Sequence, residues 1–472
     1  MSRRSFLRRS HWPKGGFGLV ALAGVTVLTL GACSSSSSSS SSTATGSSST
    51  ATGSSSTGSS SSVGSTTSGS IVWSASPLTG TGANDARTVL INAFEKQYPG
   101  IHVTLVSAPT DTDTNRATLA TQISGGSTTP DVFMGDVIWP AQFGAHQLAV
   151  PLSQYLPASY WSKFATGLVA GASYKGQIYG SPLFEDQGFL YYRKDLLDKN
   201  HMTVPQTWEQ LETDAKTLAS NGSVKYGFVW QGDSYEGLTC NFMEYLASAG
   251  GTATNSTYTL ATLNSAEALK AVTFMRSLIT SGASPAAVTT FQEPQAMNTF
   301  GAGNAAFLRN WDYAYSAATT PSSGGKLTAS QVGVAPLPTF AGQPYPGYSN
   351  IGGWNMYINP HSAHLGADLT FIQWLSGTTA QEILSMKYGF ISTVQSVRTS
   401  PAVIASNPVF AVVPKTKLVP RPAGTPEYPA LSTAIYSNLN GALAGSASPS
   451  AAVSAMQSGA TTALSSTSNG GL

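Results

Sequence analysis

The sequence predicts an α/β protein with mainly parallel sheets, folded as two lobes behind an export signal and a polar tether. Three observations support this reading. Strand-like and helix-like stretches alternate from residue 71 onward, the pattern of an α/β architecture. The chain is 41% hydrophobic and 10% aromatic over 472 residues, enough for a large core divided into two domains. Residues 34–70 are almost entirely Ser, Thr, Gly and Ala, starting with nine serines from Ser34 to Ser42. Such a segment has too little apolar surface to offset its ordering entropy and is expected to be a flexible tether.

The N-terminus carries an address. Arg3, Arg4, Arg8, Arg9 and Lys14 are the only charges before Asp85. They precede an apolar run from Phe17 to Leu30, and small residues come next in Leu30-Gly31-Ala32-Cys33. That order is a secretory signal over residues 1–32. The run is shorter than the roughly 20 residues a spanning helix needs. Arg3-Arg4 with Phe6-Leu7 behind it resembles a twin-arginine export signal, and Leu-Gly-Ala-Cys resembles a bacterial lipobox, which would make Cys33 the lipidated first residue. Residues 33–70 then form the lipidated cysteine and linker, with a random-coil reach of about 35 Å. Cys240 is left without an intramolecular partner and reads as a buried apolar thiol. Without the five N-terminal cations, 19 basic residues face 22 acidic ones. No basic cluster remains for phosphate backbones, which excludes nucleic acid as a partner.

Ile71-Val72-Trp73 is a short apolar strand, and Val89, Leu90, Ala93 and Phe94 give the next segment one apolar helical face. Pro99-Gly100 stops that helix, and residues 101–106 alternate as a strand. A helix is expected over 116–124, a breaker at Gly125-Gly126, and a buried strand over 130–134. Longer helices are expected over 207–219, 265–281 and 365–375. Open sheets of this class bind ligands beyond the carboxyl ends of their strands, so a cleft between two lobes is the place to look for function.

Pro130-Asp131-Val132-Phe133-Met134-Gly135-Asp136, Leu190-Tyr191-Tyr192-Arg193-Lys194-Asp195-Leu196-Leu197 and Pro205-Gln206-Thr207-Trp208 resemble motifs of the family 1 extracellular solute-binding proteins of sugar ABC importers. The trehalose/maltose-binding lipoproteins are matched more closely, through Tyr235-Glu236-Gly237-Leu238-Thr239-Cys240, Phe307-Leu308-Arg309-Asn310-Trp311-Asp312-Tyr313-Ala314-Tyr315, Val334-Ala335-Pro336-Leu337-Pro338, Gly352-Gly353-Trp354 and Arg421-Pro422. These occur in the family's order from about residue 71 to 455.

The resemblance implies a two-lobed periplasmic-binding-protein-like fold with three hinge crossovers, near residues 182–186, 348–353 and 387–391. One lobe would comprise 71–184 and 352–389, the other 185–351 and 390–472. It also implies a neutral disaccharide, trehalose or a maltose-like α-glucoside, held between the lobes. The partners implied are an ABC permease with its ATPase subunits, and a membrane reached through Cys33. The protein would act as a monomer on the outer face of the cell membrane, with no cofactor and no metal.

A sugar offers hydroxyls that donate and accept, and apolar ring faces, so its site needs flat aromatics and planar charged groups. The resemblance places Trp311, Tyr313 and Trp354 against the rings and Asp136 and Asp186 as hydroxyl acceptors, with Arg421 forking onto two hydroxyls. Glu185 should point away from its neighbour Asp186. Thr110 matches a sugar-contacting Thr. Asn115 stands where some relatives have Arg, a role that neighbouring Arg116 could take. Phe184 stands where a relative has Tyr, and Gly353 is expected to let backbone approach the ligand. A family Glu falls at Ala83, leaving Asn84 or Asp85 to substitute, and Glu236 stays open between site and structure.

Enzymatic alternatives find less support. There is no G-x-S-x-G elbow, no H-E-x-x-H pair, no P-loop and no G-x-G-x-x-G after a strand. His361 and His364 read as surface residues. A secreted glycoside hydrolase acting on α-glucosides is the alternative, since two carboxyls near aromatics could flank a scissile bond, and a surface adhesin on a Ser-rich stalk is a third class.

Overall fold

A computed structural model describes residues 68–469; the export signal, Cys33 and nearly all of the tether lie outside them. The chain opens as β-α-β. Strand β1 (Gly69–Ala75), helix α1 (Ala86–Gln97) and strand β2 (Ile101–Ser107) bring β1 and β2 together in parallel. Asp85 caps α1, accepting from the backbone N of Arg87 at 2.9 Å. Leu90 and Phe94 on its inner face are fully buried, and Phe94 meets Phe371 and Trp374 edge-on at 4.9 and 5.5 Å. Helix α2 (Thr112–Ser124) begins four residues before the expected start because Asp111 caps it, accepting from Thr114 N at 2.7 Å.

Apart from a small hairpin that pairs Ser173–Tyr174 with Gln177–Ile178, the remaining strands are divided between two sheets. Strands β3 (Val132–Asp136) and β4 (Ser181–Gln187) join β1 and β2 in a seven-stranded sheet. The chain then passes through Gly188 alone into β5 (Phe189–Arg193), which lies in a four-stranded sheet with β6 (Tyr226–Val229), β7 (Ala305–Asn310) and β8 (Val332–Ala335). It returns along β9 (Tyr348–Ile358), the longest strand, which pairs with β3 and β4. Two short strands, β10 (Ile391–Ser392) on β4 and β11 (Lys417–Val419) on β9, complete the larger sheet.

The sheets are mixed, which corrects the expectation of mainly parallel pairing. β9 runs antiparallel to β3 and β4, and β5 runs antiparallel to β7 and β8. Among the strands of the described residues, β1–β2, β1–β3, β6–β7 and β9–β11 are the parallel pairs. Parallel neighbours need a crossover of a dozen or more residues. The strands that carry the chain between sheets have no such helix, so their direction is free to reverse.

Helices cover the smaller sheet. In α3 (Trp208–Ser220), capped by Thr207, residues Trp208, Leu211, Ala215 and Leu218 form one fully buried stripe. Helix α4 (Glu236–Ser248) is buried almost all round, packing on β9 of the larger sheet and on α5 (Ala266–Thr280) and α8 (Tyr428–Ala444), while α9 (Pro449–Asn469) packs on those two helices. Helices α6 (Glu293–Gly301) and α7 (Leu365–Leu375) lie on the smaller and larger sheet respectively; α7 spans the expected residues. Among the described residues, no helix is long and apolar enough to cross a membrane.

Gly188 has a close-packed setting. A Cβ there would collide with the Glu244 carboxylate and the Arg309 guanidinium, a fully buried ion pair in which Arg309 Nε donates to Glu244 Oε2 at 2.9 Å.

Candidate functional site

A cavity of about 460 Å³ opens where elements of both sheets face each other, within the roughly 300–1,000 Å³ usual for small-molecule sites. One wall is the loop 76–81, Thr110, Met134, Asp136, Phe184 and Trp354; the other is Tyr235, Glu236, Glu293, Met297, Trp311 and Tyr313. Asp186, Gly352 and Gly353 line it where β4 and β9 run side by side, and Arg421 reaches in after β11.

The aromatic surfaces are held in place. Trp311 comes directly after β7 and lies over the Arg309 guanidinium at 4.0 Å, and its Nε1 donates to Glu293 Oε1 at 3.2 Å. Trp354 on β9 meets Trp139 edge-on at 6.4 Å. Tyr313 and Phe184 both pack on Phe390, at 5.7 and 4.3 Å.

Two acidic centres differ in their partners. Asp136, at the end of β3, receives Arg421 Nη2 on Oδ1 at 2.7 Å and Nη1 on Oδ2 at 3.3 Å. The same Nη1 donates to Glu236 Oε1 at 2.9 Å. Glu236 also accepts from Tyr428 Oη at 2.5 Å and Ser432 Oγ at 2.6 Å. Burial pushes Glu236 up to about 7, with Arg421 pulling the other way. Asp186, at the end of β4, instead lies within hydrogen-bond reach of Asp312. Burial pushes Asp186 up to about 7, and the nearby charges of Asp136, Glu185 and Glu293 add to the rise. Asp312 is raised well above the usual carboxylate range by burial and by Asp186.

Nine of the eleven expected ligand residues line the cavity: Thr110, Asp136, Phe184, Asp186, Trp311, Tyr313, Gly353, Trp354 and Arg421. Asn115 and Arg116 are not among its lining residues. Asn115 is buried, with Nδ2 donating to Ser76 Oγ at 3.4 Å, and Arg116 faces Gln142 and Asp113 at 3.3 and 3.7 Å. Arg421 is forked onto Asp136 rather than held open for hydroxyls. Gly353, at φ 121°, makes room for protein backbone: a Cβ would stand 2.5 Å from Phe184 O and 3.0 Å from Glu185 Cα. Glu185 turns away from Asp186 to Arg398, at 2.5 Å. Asp85 is engaged as a helix cap and by Arg87, while Asn84 O accepts from Tyr388 Oη at 2.8 Å. The loop 76–81 lines the cavity in their place, together with Glu293, Met297, Asn298 and Phe390, none of which the sequence alone singles out. The loop carries no charged or aromatic side chain, and Glu293 opens a helix with Pro294 behind it, so neither bears a ligand signature.

Cys240 is a free, buried thiol on the cavity wall, its pKa pushed up by burial. His361 and His364 are exposed, and no cluster of three or more potential metal ligands occurs among the described residues.

Residues 80–382 match the family described as bacterial extracellular solute-binding protein. A protein of Deinococcus radiodurans named "Probable ABC transporter-binding protein" is 33% identical over 353 residues, covering 72% of this chain and 82% of its own. The structure of maltose-bound T. maritima MalE3 superposes with a TM-score of 0.75 at 31% identity, covering 83% of this chain and 98% of that one. The GacH receptor of Streptomyces glaucescens, solved unliganded and with acarbose, gives a TM-score of 0.73 at 25% identity, covering 84% and 99%.

Proposed function

Because the chain belongs to the bacterial extracellular solute-binding proteins, we propose that it captures a neutral disaccharide of the trehalose or maltose type in its inter-sheet cavity and hands it to an ABC permease. One observation carries this reading: two indoles, Trp311 and Trp354, line a single cavity with Asp136 and Asp186. Indole faces match the apolar C–H faces of pyranose rings, and the polar groups between them match hydroxyls. The maltose bound by one structural relative is such a disaccharide, and the other binds acarbose.

The lobes correspond to residues 71–184 with 352–389, and 185–351 with 390–472, and they move about the strands that pass between the sheets. A sugar touching both walls stabilises the closed form by its difference in affinity for the two states. A micromolar site would need about −8 kcal/mol, within reach of two stacked rings and a few charge-assisted hydrogen bonds. The chain acts as a monomer, anchored through lipid on Cys33 at the outer membrane face, and ATP is hydrolysed on other subunits.

Members of this family are binding proteins rather than enzymes, and the acid pair fits that assignment. Asp186 and Asp312 lie within hydrogen-bond reach of each other, whereas glycosidase carboxyls stand about 5–9.5 Å apart across the bond they cleave. The test is a calorimetric titration with trehalose, maltose, maltotriose and mannitol, with chromatography of the same mixtures. Binding without products supports the proposal. Products would establish the hydrolase, and silence toward all the sugars would overturn the carbohydrate reading.

A further inference from the structure

The buried acids near the cavity are each provided with a cation or hydroxyl donors, with one exception. Glu244 holds Arg309, Glu185 holds Arg398, Asp136 and Glu236 share Arg421, and Glu293 receives Tyr235 Oη at 2.7 Å and Trp311 Nε1. Asp186 and Asp312 are 5% and 0% exposed and have no such partner. A backbone amide, Ile391 N, donates to Asp312 Oδ2 at 2.8 Å; Asp186 Oδ1 and Asp312 Oδ1 have no partner besides each other's carboxyl.

The groups around the pair cannot neutralise it. Asp136 on β3, Glu185 on β4 and Glu293 on α6 are acidic and disfavour charge on Asp186. On the far side, Tyr191 on β5 donates its hydroxyl to the backbone oxygens of Trp311 and Asp312 at 2.7 and 3.2 Å, and Arg309 on β7 is bound by Glu244 and Gln231. Tyr313 stands beside the pair with its own hydroxyl pKa raised, first by burial. Two carboxylates in contact, out of water and without a cation, cannot both ionise near neutral pH.

We infer that Asp312 is a positioning residue that keeps a proton shared with Asp186, so that Asp186 meets a ligand hydroxyl as donor as well as acceptor and the ligand is held more tightly while the proton is present. The physical reason is desolvation. A ligand that fills the cavity removes water from Asp186, which favours the protonated form further, and linkage then requires affinity to fall as pH rises and the proton is lost.

The inference rests on the sugar-binding reading only for its affinity arm, so two measurements on the full chain separate them. The first needs no ligand: infrared difference spectra between wild type and Asp312→Asn or Asp186→Asn, with 13C-carboxyl aspartate, at pH about 6.5. A protonated-acid carbonyl band that disappears in both variants supports the pair; its absence from wild type overturns it. The second titrates maltose between pH about 5.5 and about 8.5, where the wild type should lose about fivefold or more in affinity while Asp312→Asn, whose amide replaces the proton, stays flat. A flat wild type, or an Asp312→Asn variant with an unchanged pH slope, overturns the link to ligand. If maltose does not bind at any pH, the functional reading fails and the infrared result still decides the pair.

Discussion

Two pairs of carboxyl groups stand at the same cavity, with Asp312 buried behind the lining residue Asp186, and their neighbours differ. Between Asp136 and Glu236 stands a guanidinium that both can use. Asp186 and Asp312 have no such cation, only each other and the backbone amide of Ile391 on Asp312. All four are buried, so side-chain type and burial do not distinguish them; the presence of Arg421 does. The first pair is a fixed electrostatic strut, and in the second a proton takes the place of a cation.

The largest break in that comparison comes from Arg421→Ala, which should turn the first pair into something like the second while removing the strut. Stranding two buried carboxylates without their cation is expected to cost about 3–5 kcal/mol, read by urea unfolding at neutral pH. A loss below about 1 kcal/mol would mean that Arg421 does not hold the pair.

Asp312→Asn sharpens the comparison from the other side. Asp186 is raised from 3.8 to about 7 in the folded chain. Its contribution is therefore favourable below about pH 4, where folded and unfolded states are both protonated, and declines as pH rises through about 7. Supplying a permanent amide donor should recover roughly 2 kcal/mol at pH about 8 and little at pH about 4. A variant destabilised at both pH values would contradict this.

Trp311→Ala and Asp186→Ala should each weaken binding of the cognate disaccharide at least about tenfold, about 1.4 kcal/mol, with the fold retained; calorimetry and circular dichroism check the two halves of the statement. Arg116→Ala should change affinity by less than about twofold, because Arg116 is directed at Asp113 and Gln142. A tenfold loss there would redraw the cavity wall.

Helices whose periodicity and stops are local, such as 365–375, are legible in the sequence. The start of α2 is less so, because Asp111 is one of several polar residues in a row and only the folded chain shows which of them caps. Aromatic and acidic site residues are legible through Trp311-Asp312-Tyr313, Gly353-Trp354 and Arg421-Pro422. Within the first of these motifs Asp312 carries no signal of its own, because its meaning depends on Asp186, more than a hundred residues away and brought near only by strand pairing. The reversed strands and the loop 76–81 are equally opaque, since both depend on how the chain moves between sheets rather than on any local pattern.

Gly188 shows how little slack that movement allows. One residue separates the last position of one sheet from the first of the next, and the space beside it is filled. An insertion there could not bulge outward. It would slide one strand by a residue and exchange its inward and outward side chains, taking Asp186 out of the cavity, so length variation in homologues should be confined to the loops and excluded from this joint.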